Sequence, residues 1–282
     1  MSKTVLELRG RKVAVLEQGQ GEPLVYLHGL ADVHAVTGDF QPCHLRLCEG
    51  ARVIAPAHPG CAESDDLADG YGIDDVVFHY LEVFDALGLE RFDLVGHCVG
   101  GWIAAELAVR HPERVRRLAL IGACGLFVAG APIGDVFMHS QPERGVELAS
   151  LRRLLFADEH AAAGLRFFPS ARGDLEEELR RYQMLRFCSF VGFKPPYFYN
   201  RALIARLFRA AMPAAVIWGA ADRMVPRAHG EAYVAGLPGA TGLTLIAGAG
   251  HSAPFEAPDA TADALMDFLG LARQAGQRAR GS

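Results

Sequence analysis

Apolar and polar residues alternate over residues 4–8 and again over 12–17, with Arg9-Gly10-Arg11 between the two runs. A period of two puts every second side chain on one face, so the pair reads as an opening hairpin with one face buried. Beyond it the pattern changes. Residues 24–27, 53–55, 92–95, 118–121 and 214–218 are short, nearly unbroken apolar runs, as expected of parallel strands covered on both faces. Between them, residues 74–87, 99–110, 227–235 and 259–271 space their apolar positions as amphipathic helices do. His111-Pro112 closes the second of these, because proline disfavours helix in the residue before it.

Strand and helix thus alternate, which predicts an α/β fold: a mostly parallel central sheet with helices on both faces. The alternation breaks over residues 125–211, where helical patterns dominate, no strand candidate appears and aromatics crowd between Phe167 and Phe208. We read this stretch as an inserted helical cap, and residues 1–124 with 212–282 as the core. No internal repeat or low-complexity tract interrupts the chain.

Composition narrows the class. Of 282 residues, 51% are hydrophobic and 22% charged, which suits a globular protein with ample core. A net charge of −5 with interspersed signs offers no basic face for nucleic acid, and the tail from Arg278 to Ser282 reads as a frayed end. No apolar run reaches membrane-spanning length and the N-terminus lacks a secretory signal, so we expect a cytoplasmic protein, monomer or homodimer, without nucleic acid or membrane partners. The six cysteines follow neither disulfide nor zinc-finger spacing. Five read as plain thiols, and neither metal nor cofactor is expected.

The sixth, Cys98, is where the chemistry gathers. An apolar strand turns through Gly96-His97-Cys98-Val99-Gly100 into a helix, the context of a nucleophile elbow, in which glycines permit close approach of strand and helix. Its tip would lie at a helix N-terminus, whose partial positive charge favours a thiolate. Further on, Asp222 follows an apolar strand and precedes a proline-initiated helix, and His251 ends a glycine-rich turn. Nucleophile, acid and histidine in that chain order can form a triad.

With these motifs in place the chain resembles the α/β-hydrolase superfamily over nearly its whole length. The resemblance rests on His28-Gly29, the loop from Pro56 to Asp65, Gly96 to Gly101, His111 to Val115, Trp218 to Asp222, and Gly250-His251. It implies catalytic roles for Cys98, Asp222 and His251, an oxyanion hole from the backbone N–H groups of Leu30 and Val99, and substrate contacts from His28, Gly29, His97 and Trp102. Two places depart from the family pattern. Cys98 stands where most members have serine, with dienelactone hydrolases as a similar branch, and Cys61-Ala62 replace the usual aromatic and glycine; we take Cys61 as packing.

The expected activity is hydrolysis or transfer of an acyl group, from an ester, thioester or lactone of small or medium apolar character, through an acyl-cysteine. Cleavage of a carbon–carbon bond in a β-diketone or dienone-like substrate would use the same three residues. So would a serine enzyme carrying an engineered cysteine to trap its intermediate. A weakly catalytic receptor for a small apolar ligand is the alternative of another class.

Overall fold

The computed structural model describes residues 1–68, 70–141, 148–171, 174–193 and 197–271; the tail from Arg278 to Ser282 lies outside them. The strands are β1 (Ser2–Leu8), β2 (Arg11–Gln18), β3 (Pro23–Leu27), β4 (Arg52–Pro56), β5 (Phe92–His97), β6 (Val115–Ile121), β7 (Ala214–Gly219) and β8 (Ala240–Ile246). They form one sheet in the spatial order β1-β2-β4-β3-β5-β6-β7-β8. The expected opening hairpin forms and is antiparallel, and β2 meets β4 antiparallel; the hairpin's burial does not alternate as expected, since the edge strand β1 is mostly exposed and β2, covered on both faces, buries Val13 to Leu16 in succession. From β4 onward every pairing is parallel.

The helices are α1 (Pro42–Cys48), α2 (Ile73–Ala86), α3 (Val99–Arg110), α4 (Val136–His139), α5 (Ala149–Leu155), α6 (Ala162–Phe167), α7 (Leu175–Gly192), α8 (Arg227–Gly236), α9 (Ala253–Glu256) and α10 (Pro258–Leu269). Two cores divide them. Val25, Leu94, Leu118 and Leu120 face a cluster holding Tyr80, Phe84, Trp102 and Tyr233 from α2, α3 and α8. Their strand neighbours Leu24, Val95, Ala119 and Ile121 face the other cluster, with Leu47, Leu265 and Leu269 from α1 and α10. Side chains alternate across each strand, so a strand buried on both faces is apolar except where a polar group finds a partner; β5 is buried at all six positions, and its two polar side chains, Asp93 and His97, are both paired.

Helix α1 was not anticipated. It is one short run, Pro42 to Cys48, whose buried residues Cys43, His44, Leu47 and Cys48 include a histidine and two thiols, too few clear apolar positions to register as a period. Between β6 and β7 the described residues form α4 to α7, a 3₁₀ turn (Ile204–Arg209), and one isolated bridge joining Gly125 to Tyr199. The aromatics of this segment split: Phe167, Phe168, Phe187 and Phe198 are buried, whereas Tyr182, Phe193 and Phe208 are exposed.

The chain runs from β3 to β4 on one side and returns to β5 on the other. The reversal leaves a crevice between the carboxyl ends of β3 and β5, the place where open α/β sheets bind ligands. His28-Gly29 and Cys98 both stand there.

Candidate active site

Cys98 joins β5 to α3 with φ 58° and ψ −120°, a conformation that costs a non-glycine residue of the order of 1–3 kcal/mol. The turn survives because its neighbours lack side chains. A Cβ on Gly100 would stand 2.2 Å from the Leu27 carbonyl oxygen, and one on Gly96 2.4 Å from that of Gly100. The Cys98 N–H donates to Ile121 O at 2.9 Å, and its carbonyl accepts from Trp102 N–H at 3.2 Å and Cys124 N–H at 3.1 Å.

Asp222 reaches the same crevice from the loop after β7. Its Oδ1 accepts the N–H groups of Met224 and Val225, both at 2.9 Å, which fixes the carboxylate and turns Oδ2 toward His251. His251 Nδ1 lies 2.9 Å from that oxygen, so the ring proton sits on Nδ1 and Nε2 is left over. Nε2 has no hydrogen-bond partner among the described residues. Gly122, at φ 51°, floors the pair: a Cβ there would stand 3.3 Å from both Asp222 Oδ2 and His251 Cε1.

Electrostatics singles out one thiol of six. Burial alone would push Cys98 up, yet the adjoining Cys124 thiol and the positive side of His251 hold it well below the ordinary thiol value. Burial likewise opposes charge on His251, but the Asp222 carboxylate and Cys98 raise it well above the usual imidazole value. The two directions are opposite, as expected where a thiol faces an imidazole able to take its proton. Burial raises Cys43, Cys48, Cys61 and Cys188, and Cys124 rises chiefly through its contact with Cys98.

The loop after β3 packs on the elbow. A Cβ on Gly29 would fall 2.8 Å from Cys98 Cβ and 2.7 Å from His97 Nδ1. The Gly29 N–H itself donates to Asp32 Oδ2 at 3.0 Å, and Leu30 follows it in the buried loop, as Val99 follows Cys98. The other residues named from sequence are engaged inside the protein. His28 is fully buried between the rings of His34 and His58, and its Nε2 accepts the His58 N–H at 3.1 Å. Trp102 Nε1 donates to Glu106 Oε1 at 3.2 Å, and both ring nitrogens of His97 have partners. The residue that sequence reasoning passed over is Asp32, whose carboxylate gathers donors from β3, β5 and its own loop. A lone carboxylate in a loop where residues 24–36 are otherwise almost wholly apolar, glycine or histidine was the available signal.

The helical segment covers the site. Cys98 and His251 are 1% and 2% exposed. Phe187 of α7 stacks on His58 with ring centroids 4.4 Å apart, and Met184 Sδ lies 3.9 Å from Cys61 Sγ. The cover is fastened to the histidine loop: Ser252 N–H donates to Leu155 O at 2.9 Å, and Ala157 N–H to Glu256 Oε1 at 2.7 Å.

A family model described as the alpha/beta hydrolase fold matches residues 22–154. The 2-hydroxymuconate semialdehyde hydrolase of Pseudomonas putida is 31% identical over 277 residues, covering 92% of this chain and 91% of its own. The 2-hydroxy-6-oxononadienedioate/2-hydroxy-6-oxononatrienedioate hydrolase of Paraburkholderia phymatum is 33% identical over 264 residues, covering 88% of this chain and 87% of its own. Among solved structures, a meta-cleavage product hydrolase from Pseudomonas fluorescens superimposes with a TM-score of 0.74 at 21% identity, over 95% of this chain and 98% of that one. At that identity the structural likeness speaks for the fold.

Proposed function

The chain belongs to the α/β-hydrolase family and is a hydrolase, and from that premise we propose that it cleaves a carbon–carbon bond in a 2-hydroxy-6-oxo-dienoate type of substrate, with Cys98 as nucleophile. The observation that carries this reading is similarity over nearly the full length to enzymes named for such compounds. The sequence led first to ester, thioester or lactone chemistry; the relatives favour the carbon–carbon alternative.

The chemistry fits the groups in the crevice. The dienol first ketonises, which creates a conjugated acceptor for electrons. The Cys98 thiolate then adds to the 6-oxo carbon, and the N–H groups of Leu30 and Val99 hold the oxyanion, a contribution worth about 3–4 kcal/mol per donor in other enzymes. Collapse breaks the bond from the 6-oxo carbon to its chain neighbour. The electron pair passes into the conjugated keto system, and His251 delivers a proton to the dienolate that leaves while Asp222 stabilises the imidazolium. Water, deprotonated by His251, finally hydrolyses the thioester and frees the thiolate. Residues 125–211 act as a cap that opens to admit substrate and closes to keep water out until that last step.

A second reading is favoured by the cysteine itself: a thioester intermediate stays open to alcohols, amines and thiols, so acyl transfer or thioester cleavage would suit the same site. One experiment separates the two. Purified protein is offered 2-hydroxy-6-oxo-dienoates, whose conjugated absorbance bleaches on cleavage, beside p-nitrophenyl esters and acyl thioesters, with Cys98→Ala and Cys98→Ser in parallel and intact mass recorded. Bleaching that requires Cys98, with slow ester turnover, is the expected result. Turnover of esters or thioesters alone would install the acyl reading, and bleaching undiminished in Cys98→Ala would remove the nucleophile.

A further inference from the structure

Immediately before Cys98 stands a histidine that the scheme above does not use. His97 is fully buried. Its Nδ1 lies 2.8 Å from Oδ2 of Asp32, and its Nε2 lies 3.0 Å from the backbone carbonyl oxygen of His251. Both partners are acceptors. A neutral imidazole has one N–H and one lone pair, so it could satisfy only one of them and would aim its lone pair at the other oxygen. A proton on each nitrogen satisfies both.

The alternative is a protonated Asp32 that donates from Oδ2 to His97 Nδ1, and the donors already on that carboxylate disfavour it. Oδ2 already accepts from Tyr26 OH at 2.9 Å and from Gly29 N–H at 3.0 Å, and Oδ1 accepts from Val33 N–H at 2.7 Å. His44 Nδ1 accepts the Gln41 N–H, which leaves its hydrogen on Nε2, 3.5 Å from Oδ1. The backbone N–H groups of Gly29 and Val33 can only donate, so they stabilise the charged carboxylate. Burial would push Asp32 up, but bonds from His44 and His97 hold it well below the usual carboxylate range. A buried carboxylate calls for a counter-charge, and His97 stands in hydrogen-bond contact with it.

We propose that His97 is a positioning residue: as an imidazolium paired with Asp32, it ties the His251 loop and the Leu30 loop to the elbow that carries Cys98. The proposal rests on the roles assigned above to those three residues. The tie is short at each end. Asp32 holds the Gly29 N–H one residue before Leu30, His97 adjoins Cys98 in the chain, and the Nε2 proton grips the backbone of His251 itself. Nucleophile, base and oxyanion donor come from three separate loops, and one buried ion pair sets their spacing. The titratable groups facing His97 are Asp32 on the loop after β3, His251 after β8 and Cys98, with Tyr26 of β3 and His44 of α1 reached through Asp32. Its charge also lies on the side that favours a thiolate at Cys98.

The test reads protons on the ring. The whole protein, labelled with nitrogen-15 histidine, is followed by nitrogen–proton correlation from about pH 6 to about pH 8, and His97 is assigned through its backbone or by comparison with His97→Asn. Two ring N–H signals with imidazolium nitrogen shifts are expected at about pH 7, collapsing to one N–H in Asp32→Asn. A single N–H tautomer in the wild-type protein at about pH 7 overturns the proposal, whether or not either variant folds. The second readout is iodoacetamide alkylation located by intact mass: in folded His97→Asn, labelling of Cys98 at about pH 7 should slow by roughly 10- to 100-fold, with its pH midpoint moved upward. A packing role alone would leave that midpoint in place, and an unmoved midpoint counts against the proposal. Should wild-type Cys98 react no faster than the other five thiols, the nucleophile reading falls, and the ring signals still decide the state of His97.

Discussion

At the scale of single residues the question is what makes one of six buried thiols different. Five of them rise, and Cys98 alone falls, because the Cys124 thiol donates to it and His251 faces it. The proposed thiolate–imidazolium state would therefore span the interval between the lowered value of Cys98 and the raised value of His251. Within that window alkylation of Cys98 should be nearly independent of pH, whereas an isolated thiol would lose reactivity about tenfold per unit below about pH 8.5. Removing the base should abolish the plateau, so His251→Ala ought to show an ordinary thiol titration; a plateau that outlived the histidine would place the charge stabilisation elsewhere. Asp222 acts one step further back, holding the Nδ1 tautomer. Asp222→Asn should lower kcat on whichever substrate proves active by roughly 10³- to 10⁴-fold while KM changes little, and a mainly KM effect would deny it that role. Cys98, Asp222 and His251 could be named from sequence because each sits in a short motif with a mechanical reason for its spacing. Asp32 could not, since its partners come from β3, β5 and α1 and its purpose appears only when those are brought together.

At the scale of elements, β5 and α3 form the unit that presents the nucleophile, and their closeness is what the glycines secure. Gly100 shows it most sharply, its absent Cβ facing the backbone oxygen of Leu27 at 2.2 Å. Backbone cannot rotate aside as a side chain can. Gly100→Ala should therefore cost at least about 1–3 kcal/mol, the usual range for overpacking, readable as a lowered urea midpoint with unchanged slope. A neutral result would mean that β3 yields more easily than the packing implies. The same pair of elements shows why the strands were legible. A strand buried on both faces is apolar wherever no polar partner is at hand, and the apolar runs within β5 to β7 announced themselves by composition. The order of strands in the sheet is written in no local pattern, and α1 escaped because its buried face uses Cys43, His44 and Cys48 where a longer helix would use leucines.

At the scale of the whole molecule, the crevice is lined by histidines that burial holds neutral. Burial lowers His34 to about 4 and His58 to about 3, and lowers His28 as well; His79 on α2 falls to about 4 for the same reason. In each case the folded value lies below the unfolded one, near 6.5. As pH drops beneath about 6.5 the unfolded chain takes up protons that the folded protein refuses, so stability declines with falling pH and continues to do so until the folded values are reached. Neither His251, shifted the other way, nor Asp32, shifted the same way, offsets this. His251, whose folded value is raised, contributes stability that is already complete below about pH 6.5 and fades only on the alkaline side. Asp32, whose value is lowered, holds its contribution down to about pH 4 and loses it below. Between about pH 6.5 and about pH 4 the neutral histidines therefore dominate, each tending toward about 1.4 kcal/mol per pH unit. His79 isolates the effect, because it lies away from the crevice on α2 and neither ring nitrogen has a hydrogen-bond partner among the described residues. Urea unfolding of His79→Leu across this range should show a shallower decline than wild type by about that amount per unit, with the two proteins diverging most near about pH 5. Parallel curves would mean that His79 takes up its proton as readily folded as unfolded, and that the acid sensitivity of the fold lies with the histidines lining the crevice.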